Sequence, residues 1–298
     1  MWLLLGVCSS FLLGFWEIAK KIALKGNNAM LVLFWVAFFG AVLFMPLIVL
    51  SKLCPELLPK ALYVADGTFN QHLMVMLKST IVGTSWIWGY YSLKHLPLTI
   101  TGPIKAARPA MVLMGAIVIF GERLNVYQWL GVFVAMTAIF LLSLTGKREG
   151  IVFKNNKWVF YCVLSTAMGG VSALYDKYLL GIYEPMFVQS WYTVYAFVIM
   201  GVILVVSRVL GKQDKEPFVW RNAIVAIAVL IAVADALYFY ALSDKDSMIS
   251  IVSLIRRGSV IVSFIYGAIM LREKNVPRKV VALVLMFVGL LFLALGSV

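Results

Sequence analysis

GERLNVYQWLGVFVAMTAIFLLSL (121–144) lies over REKNVPRKVVALVLMFVGLLFLAL (272–295), with Glu122 matching Glu273. Each stretch opens on an acidic-basic turn and runs on as one apolar segment of the length that crosses a bilayer, about 20 residues for about 30 Å of hydrocarbon. The likeness continues upstream. YYSLKHLPLT (90–99) lies over FYALSDKDSM (239–248), and IKAARPAMV (104–112) over SLIRRGSVI (253–261), which matches Arg108 with Arg257; Lys20 falls against Lys177. A two-residue insertion between Arg257 and Glu273 is needed, and the shared order along the chain carries the match. The chain therefore reads as two copies of one unit, 1–146 and 157–298, joined by a connecting loop at 147–156.

Composition sets the solvent. With 63% hydrophobic and 13% charged residues and a mean hydropathy of +0.96, 298 residues cannot hide their apolar surface in a soluble core. Cutting at charged, Pro and Gly clusters gives spans near 1–24, 29–51, 73–95, 98–120, 126–145, 157–180, 185–208, 221–243, 246–271 and 279–297. The fold class expected is an all-α integral membrane protein of ten transmembrane helices, arranged as two five-helix repeats. Because five is odd, the second repeat enters the membrane inverted, the plan of many secondary transporters, with a solute site between the halves and alternating access by rocking.

The net charge of +13 sits in short loops rather than on one soluble face, so it is a topology signal and not a nucleic-acid footprint. The loops after spans 1, 3, 5, 7 and 9 carry 16 Lys and Arg, among them Lys147, Arg148, Lys154, Lys157, Arg208 and Arg272, whereas the opposite side carries five, Lys52, Lys60, Arg123, Lys177 and Lys245. The positive-inside rule then puts both termini outside the cytoplasm. Cys8, Cys54 and Cys162 share no metal-ligand spacing with one another or with His72 and His95. The N-terminal MWLLLGVCSSFLLG lacks a basic leader and an A-x-A cleavage site, so it is read as a retained first span.

The five-span repeat, the Gly-Glu-Arg turn at Gly121–Arg123, PIKAARP (103–109) and the closing LLFLALG run resemble the drug/metabolite transporter superfamily, EamA-like branch. The resemblance covers essentially the whole chain. It implies a ten-helix carrier of metabolites, amino acids, nucleotide sugars or toxic compounds, often an exporter, working without ATP, multi-pass in a bacterial inner membrane. It also implies both termini inside, against the charge count. The second repeat departs from the pattern, with LREK in place of GER and RRG in place of RP.

A charge within the bilayer costs about 2.5–3.5 kcal/mol on insertion scales, so each one needs a reason. Arg108 and Arg257 fall near the middle of their spans and are the first candidates for binding or gating a solute. Arg256, Lys105, Asp235, Asp176, Lys177, Glu17 and Lys20 follow, with Asp235 placed to approach Arg256 or Arg257. Lys20, Lys21, Lys78 and Lys177 lie closer to span ends, where long side chains snorkel to the headgroups. Trp16, Trp86, Tyr91 and Tyr238 are candidates to wall a cavity, although aromatics also gather at membrane interfaces. Embedded cations outnumber embedded acids, which tilts the solute toward a carboxylate, a phosphate or a zwitterion.

No G-x-x-x-x-G-K-[ST] occurs, so an ATP motor is not expected. The competing class, a membrane enzyme acting on a lipid-borne substrate, lacks G-x-S-x-G, a G-x-G-D partner for Tyr175-Asp176, and a second Asp cluster beside Asp244 and Asp246. The partners expected are a small solute, protons or another coupling ion, and the lipid bilayer; no nucleic acid, cofactor or metal is called for, and the oligomeric state stays open, a monomer being compatible with the sequence.

Overall fold

The computed structural model describes residues 2–59, 62–111, 125–211, 216–243 and 255–296. Ten α-helices are bounded among them: α1 Trp2–Leu24, α2 Ala29–Leu53, α3 Phe69–His95, α4 Leu98–Ala106, α5 Val126–Lys147, α6 Lys157–Leu180, α7 Pro185–Val209, α8 Ala223–Ser243, α9 Ser259–Ile269 and α10 Val276–Leu295. No strand occurs among the described residues. Five of the helices (α2, α5, α6, α7 and α10) are long and apolar enough to cross a membrane.

The ends follow local chemistry. Gly26, at φ 58°, turns the chain after α1, and Asn28 caps α2 by accepting from the Leu31 N–H at 3.0 Å. At α5, Asn125 Oδ1 accepts from the Gln128 N–H while Gln128 Oε1 accepts from the Asn125 N–H, at 2.9 and 3.0 Å, a reciprocal cap. Pro97 separates α3 from α4, and Pro185 opens α7 where its missing N–H does no harm.

The fourth and ninth spans are not the continuous helices expected. Helix α4 breaks at Ala107 and residues 108–111 are helical again; residues 255–257 are helical and the break at Gly258 precedes α9. Pro109 has no N–H to give the Lys105 carbonyl, which accounts for the first break. The two matched arginines thus each adjoin a break in their helix. The Gly121–Arg123 turn, Glu122, Asp244, Asp246 and the remainder of these two spans lie outside the described residues.

Helices pack mainly across the two halves: α5 on α10, α1 on α8, α3 on α6, α2 on α7 and α4 on α9. Exchanging the first five helices for the second five maps α1–α8 onto α6–α3 and every other one of these pairs onto itself. The paired helices run antiparallel. Phe34 of α2 meets Phe197 of α7, and Gly40, further along α2, faces Thr193, earlier in α7. Gly102 of α4 faces Val260 of α9 while Leu98 faces Gly267. In α5–α10 a Cβ on Gly289 would lie 3.0 Å from the Ala135 nitrogen and the Gly131 carbonyl, so these glycines let the two backbones touch. The outer shell is apolar, with Phe11, Phe133, Phe140, Val205 and Val284 exposed.

One polar knot ties the halves at the start of α4. Glu273 accepts from the N–H groups of Leu98 and Thr99 at 2.8 and 2.9 Å and from the Thr99 hydroxyl. A carboxylate there meets the positive end of the helix dipole. Lys279, fully buried, donates to Thr99 Oγ1 and to Glu149 of the connecting loop, both at 2.9 Å, and Asn275 also donates to Glu149. Lys21 closes α3 by donating to the Leu93 and Leu96 carbonyls at 2.7 and 2.6 Å.

Candidate functional site

Three ionic clusters occupy the interior. In the first, Glu17 of α1 accepts from Lys105 of α4 at 2.8 and 3.0 Å and from Lys20 at 2.8 Å. The Lys20 ammonium sits 3.2 Å from the centre of the Trp16 ring, a cation–π contact. In the second, Asp235 of α8 pairs with Arg256, whose guanidinium lies 4.0 Å over the Tyr238 ring. In the third, Lys78 of α3 pairs with Asp176 of α6 at 2.8 Å and stands 4.9 Å from the Tyr192 ring.

Arg108 and Arg257 fall between these clusters. Arg108 packs its guanidinium on the bare backbone of Gly169 in α6; a Cβ there would lie 2.6 Å from Nη2. Arg108, Arg256 and Arg257 are close enough for their charges to repel one another. The Nε atoms of Arg108 and Arg257 are fully buried, with no hydrogen-bond partner among the described residues. The Trp16 indole N–H and the Tyr90 hydroxyl are in the same condition.

A small pocket, with a cavity volume of about 30 Å³, lies between α2, α3, α7 and α8. Val36, Phe44, Trp86, Tyr192 and Ala196 give it apolar walls; Gln189, Thr193 and Asp235 give it polar points. Such a mix, mostly apolar with a few convergent polar groups, is the usual make-up of a small-molecule site.

Of the residues singled out in the sequence, Trp86 and Asp235 line this pocket, and Asp235 takes Arg256 rather than Arg257 as its partner. Glu17, Lys20, Lys105 and Trp16 form one cluster. Tyr238 backs Arg256. Arg108 and Arg257 lie near each other but are not among the pocket's lining residues, and Tyr91 stacks toward Trp158 at the far end of α3–α6. The side chain of Lys177 lies outside the described residues. Lys20 and Lys78 do not snorkel: they are 3% and 5% exposed, because Glu17 and Asp176 neutralise them in place.

Sequence reading left out Gln189 and Thr193. Gln189 had a signal in being an amide in an apolar run. No group of His, Cys, Asp or Glu suited to a metal occurs among the described residues.

Two matched all-helical units, interlocked through apolar helices and enclosing buried ionic clusters, define a duplicated membrane carrier. The chain matches the model of the EamA-like transporter family over residues 1–144 and again over 156–295, and it belongs to that family, within the drug/metabolite transporter superfamily. No curated protein matches it. Among solved structures, one described only as "Crystal structure of protein" superposes with a TM-score of 0.61, covering 99% of this chain and 97% of that one at 14% identity. At that identity the likeness speaks for the fold alone.

Proposed function

We propose that this EamA-family transporter moves a small anionic or zwitterionic metabolite by alternating access between two inverted five-helix repeats, bounded at 1–146 and 157–298, with ten membrane crossings in all. Transport is driven by gradients rather than ATP, and export is the direction the family resemblance favours. The observation that carries the reading is the pair of buried, unpartnered guanidinium nitrogens on Arg108 and Arg257. Each of these two cations, beside a break in its helix, keeps one buried donor without a partner among the described residues, a costly arrangement that an acceptor on a solute would relieve. A guanidinium holds a carboxylate or phosphate at two points, which an ammonium does not. The one-residue breaks beside the arginines, at Ala107 and Gly258, also fit the interrupted helices found at the solute site of carriers.

The test is flux into proteoliposomes of labelled small carboxylates and phosphate esters under an imposed ion gradient, without ATP. Wild type is expected to carry at least one of them. Arg257→Lys and Arg108→Lys are each expected to lower its rate about tenfold or more, on the scale of a lost bidentate contact, while eluting as folded protein. Movement that appears only when ATP is supplied overturns the reading.

A further inference from the structure

Around Glu17 the described interior holds more cations than one carboxylate balances, and its other unsatisfied groups can all donate. Lys20 and Lys105 both donate hydrogen bonds to this one carboxylate, and the charge of Arg108 bears on Glu17 and Lys20. The Trp16 N–H and the Tyr90 O–H are buried without a hydrogen-bond partner among the described residues, Tyr90 being 2% exposed. This is the donor set of an oxyanion site, and among the described residues the carboxylate that accepts from it is the protein's own Glu17.

We propose that Glu17 is a built-in substitute for the solute: in the empty carrier its carboxylate fills the place that a carboxylate or phosphate group of the solute takes, and the arriving anion displaces it from Lys105. The inference rests on the transporter reading above and specifies how that interior recognises its cargo. Sharing Glu17, the two lysines are spared part of the penalty of isolated buried charge while the site is empty. An arriving anion supplies the second negative charge, so that each lysine then has its own. Nor is Glu17 left bare on leaving, because Lys20, one turn along the same helix, remains its counter-ion. What the exchange breaks is the link between α1 and α4, so occupancy releases one helix from the other. Access is at hand: Trp16 and Trp86 lie 6.4 Å apart, ring to ring, and Trp86 belongs to the pocket wall.

The experiment titrates purified full-length protein with inorganic phosphate and, separately, with acetate, at fixed pH and ionic strength, by calorimetry. Glu17→Gln is expected to bind at least one of them ten times more tightly than wild type, and adding Lys105→Gln is expected to abolish the gain. A phosphate-only gain assigns a phosphorylated solute; an acetate-only gain assigns a carboxylate. Unchanged or weaker binding by folded Glu17→Gln overturns the proposal, as does an absence of binding by every variant. Should Glu17→Gln not fold, Glu17→Asp, one methylene shorter, must bind more tightly than wild type; equal affinity is then fatal. Loss of binding in Arg257→Lys beside an unchanged Glu17→Gln removes Glu17's role and leaves the transporter reading standing. Tighter binding by Glu17→Gln in a protein that moves no solute removes the transporter reading alone.

Discussion

Gly169 shows how a single hydrogen can decide where a charge sits. The Arg108 guanidinium lies on the glycine's bare backbone, and even a methyl group would displace it. The atom to be moved is the end of a flexible side chain, so relief is cheap for the fold and disruptive for the site. Gly169→Ala is therefore expected to lower transport severalfold while shifting the unfolding temperature by no more than a few degrees, a stability change under about 1 kcal/mol. Equal loss of flux and of stability would mean that Arg108 only packs. Which residues carry charge in the interior was legible in the sequence, because burial of an ion in lipid is rare enough to notice. Their partners were not. Depth along a span put Lys20 and Lys78 near water, yet Glu17 and Asp176 hold them inside, and a pairing between helices leaves no spacing to read.

At the scale of helices, the pair that opened the sequence reading, 121–144 over 272–295, contains the tightest cross-half contact described, α5 against α10. Gly131 and Gly289 put each backbone within touching distance of the other, so the neighbour that would have to yield is main chain rather than a side-chain tip. Gly289→Val is expected to destabilise the protein by about 1–3 kcal/mol, the range for overpacking, read as a lower melting temperature of the detergent-solubilised protein. An unaltered melt would show that this crossing has slack. The existence and order of the helices were legible because apolar length and turn residues fix them locally. The breaks beside Arg108 and Arg257 were half legible: Pro109 announces one, whereas Gly258 is one glycine among 22 and carries no mark of its own.

For the whole molecule the surface charge makes a claim that the interior does not. Lys147, Arg148, Lys154 and Lys157 cluster on the loop between the halves, within reach of the short-loop rule, and ten crossings would put Arg272 with Lys274 on the same side. A reporter fused after residue 298 that is active only in the cytoplasm is expected to be silent, and one placed at Asn155 to be active. The reverse pattern would show that the family's usual orientation prevails over the local charge.

The strongest helix contacts join the first half to the second: α1 with α8, α3 with α6, α2 with α7, α5 with α10. Inside either half, neighbours in sequence touch only lightly. A ribosome that has delivered the first five helices has thus delivered five surfaces whose partners do not yet exist, and the chain must wait, inserted but unpacked, until the rest arrives. Each half, made alone, is expected to be degraded or to aggregate. Residues 1–150 and 151–298 made as two separate polypeptides in one cell are expected to find each other and co-purify. Accumulation of a lone half as a stable, monodisperse bundle would contradict that dependence. Duplication has in this sense produced a pair of obligate partners that share one chain, and whatever damages the interlock in one half leaves the other half homeless.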